Sequence, residues 1–144
     1  MPSWTCPSCQ RLFGRTKQSH ECAPAMTLEE YFSTGPPFER PVYDTVMAHV
    51  ATLGPVHIEP VSVGVFVKAG RSFIELRPLT KWVALSFALD RDLDHPKIAR
   101  KSKTQRGSTS PKTYYFVRLR TPEDVDDDVK AWLAEAYDRA IALG

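Results

Sequence analysis

Four side chains near the start of the chain have the types and spacing of a metal site. Cys6, Cys9, His20 and Cys22 form the pattern C-x2-C-x10-H-x-C. Thiolates two residues apart wrap a metal ion in a tight knuckle, and Pro7 helps set that turn. Three soft thiolates and one imidazole complete a tetrahedral shell, the usual surroundings of structural zinc, and leave no vacancy for a catalytic water. The three cysteines of the chain all belong to this motif. An odd, clustered set suits a metal ion in a reducing cytoplasm better than a disulfide framework. The expectation is a structural Zn2+ in a cytoplasmic protein. The H-x-C pair is tighter than most and demands a sharp bend, and the competing reading is a leader of uncommitted thiols. So small a unit relies on its metal in place of a core, with Trp4, Leu12 and Phe13 capping the site.

Basic residues fall where a polyanion could meet them. Between the ligand pairs stand Arg11, Arg15 and Lys17, side-chain types that contact phosphates in nucleic-acid-binding fingers. From His95 to Arg120 there are eight basic residues (Lys97, Arg100, Lys101, Lys103, Arg106, Lys112, Arg118, Arg120) and no acid, whereas the tail from Pro122 holds seven acids and two bases, 2 − 7 = −5. Arg100, Lys101, Lys103, Arg118 and Arg120 are therefore candidates for phosphate contacts. The alternative is that the basic stretch and the acidic tail neutralise each other. The acid run Glu123 to Asp128 is read as helix-dipole complement at a helix start rather than as a cation site.

The elements that must position these groups follow from the apolar period. Residues 1–24 form the finger. A linking helix follows in 25–37, with Thr27 as N-cap, Glu30 three residues on, and Gly35-Pro36-Pro37 as its stop. Residues 38–144 form the main domain. There a helix is predicted from about Pro41 to Leu53, ended by Gly54-Pro55. The period then changes to two, predicting strands at Val56–Val61, Val63–Lys68, Arg71–Arg77, Lys81–Leu89 and Thr113–Arg120. Positions 95–112 read as a long basic loop. A last helix is predicted with Thr121 as N-cap and Pro122 at its first position. The fold class is α+β: an antiparallel sheet of four to five strands with helices on one face, plus a small N-terminal zinc finger.

Alternation along the strands sorts their side chains. Val83, Leu85, Phe87 and Leu89 point to the core, as do Tyr115, Val117 and Leu119. The opposite face would then carry Phe73, Trp82, Tyr114 and Phe116 among arginines. Aromatic platforms interleaved with cations suit single-stranded nucleic acid, with rings for bases and charge for phosphates. The competing readings are a second core layer or a homodimer interface through this aromatic sheet face, because large apolar patches seldom stay bare. Lys68, Arg71, Arg77 and Lys81 on neighbouring strands form a candidate anion or protein-partner face.

Other functions find little footing. There is no G-x-S-x-G, P-loop or G-x-G-x-x-G, and His49, His57 and His95 have no motif partner, so no catalytic residues are assigned and no enzyme is expected. No apolar run reaches membrane-span length, and the first residues lack the pattern of a secretory signal. With 144 residues, 42% hydrophobic and 25% charged, the composition is that of one globular domain with a small appendage.

From about Phe38 to Ala140 the chain resembles the bacterial domain of unknown function 5655. The resemblance is carried by RSFIELRPLTKWVALSFALD (71–90), TYYFVRLR (113–120) and EDVDDDVKAWLAEAY (123–137). It implies a compact α+β domain and supplies no activity or catalytic residues. The preferred function is a non-enzymatic zinc-binding protein that contacts nucleic acid or nucleoprotein through its finger and the basic 97–120 segment. The alternative is a protein-interaction or small-anion-binding module with a purely structural zinc.

Overall fold

The structure, a computed structural model, describes residues 4–7, 9–13, 26–103 and 112–143. Two short strands, β1 (Trp4–Thr5) and β2 (Leu12–Phe13), pair with each other. Two helices follow, α1 (Leu28–Ser33) and α2 (Glu39–Val50). Six strands come next: β3 (His57–Val61), β4 (Gly64–Ala69), β5 (Arg71–Pro78), β6 (Val83–Leu89), β7 (Ile98–Lys103) and β8 (Thr113–Leu119). A 3-10 turn (Pro122–Asp124) then leads into α3 (Asp127–Leu143).

The main sheet runs β3-β4-β5-β6-β8-β7, and every neighbouring pair is antiparallel. Helices α2 and α3 cover one face. Val42, Val46 and Val50 of α2 and Val129, Trp132, Leu133, Ala136 and Ala140 of α3 pack with Val65, Val67, Ile74, Leu76, Leu85, Phe87, Tyr115 and Val117 in one core. Turns fit their residues: Gly70, at φ 81°, closes the β4–β5 hairpin, a conformation that costs glycine little. No helix among the described residues is long and apolar enough to cross a membrane.

The α+β class with helices on one sheet face matches the expectation, but the sheet has six strands rather than four to five. The sixth, β7, lies inside the segment expected to be a loop. It is the edge strand, where only Ile98 packs against the core. Lysines and arginines on an edge guard against pairing with other chains, so β7 carries no alternation of apolar and polar residues. The last helix also starts later than expected. Asp124 Oδ2 accepts from the Arg120 N–H at 2.7 Å and holds the 3-10 turn, and Asp126 Oδ1 accepts from Val129 N–H at 3.1 Å as the cap of α3. The acid run is thus partly spent on capping.

Candidate functional site

The N-terminal unit is a knuckle seated on the sheet face opposite the helices. Cys6 N–H donates to Arg11 O at 2.9 Å and Gln10 N–H to Cys6 O at 2.8 Å, with Gln10 at φ 63° completing the tight reversal. Cys6 and Cys9 are buried with Phe13, and Trp4 packs against them. Of the four expected ligands these two are described; His20 and Cys22, like Arg15 and Lys17, lie outside the described residues. Among the described residues no group of three or more His, Cys, Asp or Glu side chains is placed to hold a metal ion. Of the expected donors, Cys6 and Cys9 are both buried on this tight turn.

Glu59 on β3 binds this unit to the sheet. Its carboxylate, 2% exposed, accepts from Leu12 N–H at 2.5 Å and is paired with Lys68 Nζ at 2.8 Å, His57 Nε2 at 3.1 Å and Arg11 Nε at 3.4 Å. Lys68 also donates to Leu12 O, so both backbone polar groups of Leu12 are satisfied by one ion pair. Burial alone would raise the Glu59 carboxyl, but hydrogen bonds from Lys68 and the Leu12 N–H outweigh it and hold it below its usual range. Phe13 lies 4.1 Å from Lys68 Nζ, and the Arg11 guanidinium stacks between Phe13 (5.2 Å) and Phe66 (5.0 Å).

Beyond the knuckle no helix or strand among the described residues covers the same sheet face. Strand register aligns Glu59, Phe66, Glu75, Ser86, Phe116 and Arg100 in one row across all six strands. The next row holds Arg77, Ala84 and Arg118. Basic groups lie over rings along this face: Arg100 over Phe116 at 4.2 Å, Arg118 and Arg120 over Trp82 at 4.6 and 5.1 Å, and Lys112 over Tyr114 at 5.0 Å. Arg100, Arg118 and Arg120 make no ion pair among the described residues. Between Trp82 and Phe116 the small side chains of Ala84 and Ser86 leave a groove of about 400 Å³, lined also by Arg77, Arg100, Arg118 and Glu75. That volume is at the lower end for ligand pockets. Glu75 is paired with Arg77 at 3.1 Å.

The profile of domain of unknown function 5655 (DUF5655) matches residues 28–140. The chain belongs to this family. The match begins before Phe38 and includes α1, so the linking helix is part of the DUF5655 domain. No curated protein and no solved structure matches the chain.

Several expected site residues of this DUF5655 chain sit elsewhere. Phe73 leaves the aromatic face because a bulge opposite Val67 and Lys68 inserts one extra residue in β5. Its ring packs edge-on against Tyr137 of α3 at 5.5 Å. The same shift sets Arg71 opposite the buried Ala69, away from the arginines of the groove. Lys68 and Arg11 are 4% and 6% exposed and serve the docking of the knuckle, which removes them from any solvent-facing anion site. Lys101 faces the helix side over Tyr115 and is held by Asp92 and Asp94. Lys103 is exposed on that same alternation of the edge strand, and Lys81 is exposed beside Trp82.

Charge neutralisation and surplus therefore divide by face. Lys97 pairs with Asp126, Arg91 with Glu135, and Arg139 with Asp90, tying the 90–97 segment to α3. Two imidazoles, those of His49 and His95, meet the α3 region. His95 accepts from Lys97 N–H at Nδ1 and faces Asp128 through Nε2 at 3.2 Å, and His49 Nε2 lies 2.9 Å from Lys130 O. Sequence reasoning missed Glu59 and Phe66. An acid in a strand beside His57 and Pro60 carries no motif, and its role depends on Leu12, 47 residues away in sequence. A signal existed only for the groove floor, in the small residues Ala84 and Ser86 opposite two core-facing neighbours.

Proposed function

We propose that this protein is a non-enzymatic zinc-binding protein of the reducing cytoplasm that contacts nucleic acid through its open sheet face. The observation that carries the reading is the set of three arginines, Arg100, Arg118 and Arg120, stacked on Phe116 and Trp82 with no acidic partner among the described residues. A guanidinium over a ring is held in place while its N–H groups stay available for phosphate oxygens. Rings with cations at intervals suit a single strand, whose unstacked bases can lie on them. Cys6, Cys9, His20 and Cys22 hold a structural Zn2+, supported by the buried pair of thiols on a tight turn. The zinc supplies folding energy to a unit with almost no core. The knuckle then covers the β3–β4 end of the face and leaves the β5–β8 end for the ligand. Basic groups of the 97–120 segment contribute unequally: Arg100, Arg118 and Arg120 bind, and Lys101 stays with its aspartates.

The test is a salt-series titration of zinc-loaded protein against single- and double-stranded DNA and RNA, with metal content measured on the same sample. Binding to single strands should weaken steeply with salt. Replacing Arg100, Arg118 and Arg120 together by Ala should lower the log–log salt slope by about 2, because each phosphate contact on a single strand contributes about 0.7. Salt-insensitive binding, or none at low salt, sinks the reading and points to a protein partner or a second copy on the same face.

A further inference from the structure

Resting on that reading, we infer that the groove between Trp82 and Phe116 is a pocket for a single guanine nucleotide unit. Trp82 and Phe116 bound a floor reduced to Ala84 and Ser86, where a planar ring can lie flat against the sheet. Glu75 and Phe116 stand two strands apart with Ser86 between them, a separation of roughly 10 Å. A purine in that space has one edge toward the Glu75 carboxylate and its sugar toward Phe116. Arg100 and Arg118 beyond the rings are then in reach of its phosphate.

Glu75 selects the base. An ionised carboxylate only accepts hydrogen bonds. Guanine alone among the common bases presents two adjacent donors, N1–H and the exocyclic amino group, on its Watson–Crick edge. Cytosine and adenine each offer one amino group there, and thymine or uracil one imide N–H. Arg77, 3.1 Å from Glu75 Oε1, fixes the carboxylate and leaves lone pairs on both oxygens for the ligand. An acidic group inside an otherwise cationic face weakens general phosphate binding, which is the cost such a face bears for base selectivity.

The experiment uses the full zinc-loaded chain. Oligothymidylates with one central guanine, inosine, adenine or cytosine are titrated by anisotropy, and GMP, IMP and AMP by calorimetry. The guanine ligands should bind about tenfold tighter than the inosine ones, which lack only the amino donor. In Glu75→Gln, whose melting temperature should match the parent, guanine and inosine should come within about twofold, because the amide offers one acceptor oxygen and one donor nitrogen to guanine's two parallel donors. Salt-steep binding with equal affinity for all four bases overturns the guanine pocket and leaves the nucleic-acid face standing. Selectivity that survives Glu75→Gln overturns the role of the carboxylate. Absence of binding by every oligonucleotide and nucleotide overturns both readings.

Discussion

Replacement of Glu59 by Ala should release the knuckle from the sheet without unfolding the domain. In the parent, Glu59 faces Lys68 at 2.8 Å, with the two side chains 2% and 4% exposed, and it is the acceptor for Leu12 N–H. Removing one partner of a buried ion pair costs about 3–5 kcal/mol, and an orphaned buried N–H adds about 1–3 kcal/mol. Undocking returns Lys68, Arg11 and Leu12 to water, so the molecule escapes most of this cost by letting the knuckle go. The loss should therefore be local. Hydrogen exchange of the Leu12 amide should accelerate by about 100-fold or more, the equivalent of about 3 kcal/mol. Amides of β5 and β6, which face α3 through Ile74, Leu76 and Phe87, should keep their protection. Glu59→Gln preserves an acceptor for Leu12 but leaves Lys68 without a counter-charge, and it should fall between. Leu12 protection in Glu59→Ala within about fivefold of the parent would refute the reasoning, as that is the scale of a solvent-exposed ion pair.

Three further outcomes are expected. Glu39, buried at the start of α2, accepts from the Tyr31 hydroxyl, and burial raises its carboxyl above the usual range against the opposing effect of that hydrogen bond. A carboxyl raised in the folded state favours folding at low pH, and the benefit is lost as pH rises through the folded value. Glu39→Gln should therefore melt higher than the parent at pH 7, and the gap should close below about pH 4, where the unfolded carboxyl is also protonated. Gly54→Ala should destabilise by about 1–3 kcal/mol in urea titration, because φ there is 149° and a Cβ would strike the Tyr137 ring and hydroxyl. Arg100→Ala should weaken oligonucleotide binding severalfold, whereas Lys101→Ala, already neutralised by Asp92 and Asp94, should change it less than twofold.

Much of the fold is legible in the chain because local chemistry and tertiary demand agree. Thr27 and Glu30 make the expected capping box at α1. The alternation in β6 and β8 survives folding: Leu85, Phe87, Tyr115 and Val117 are all buried against the helices, and Trp82 and Phe116 line the other side. These are central strands with one greasy face, where register and side-chain period cannot drift apart. The edge strand β7 escaped detection since its exposed positions ask nothing of hydropathy.

What lay beyond reach of the chain alone were relations between distant segments. A single bulge turned Phe73 from the aromatic face to Tyr137, and nothing local in RSFIEL announces it. Charge composition named the basic stretch but not its division, since only the strand pleat puts Arg100 over Phe116 and Lys101 beside Asp92 and Asp94. Arg11 and Lys68 looked like surface cations; they are buried because Glu59 meets them from another strand. Cysteine spacing, caps and strand period act within a few residues and are written in the chain. Burial, ion pairing and the open groove depend on which remote surfaces come together, and those are set by packing the sheet, the helices and the knuckle at once.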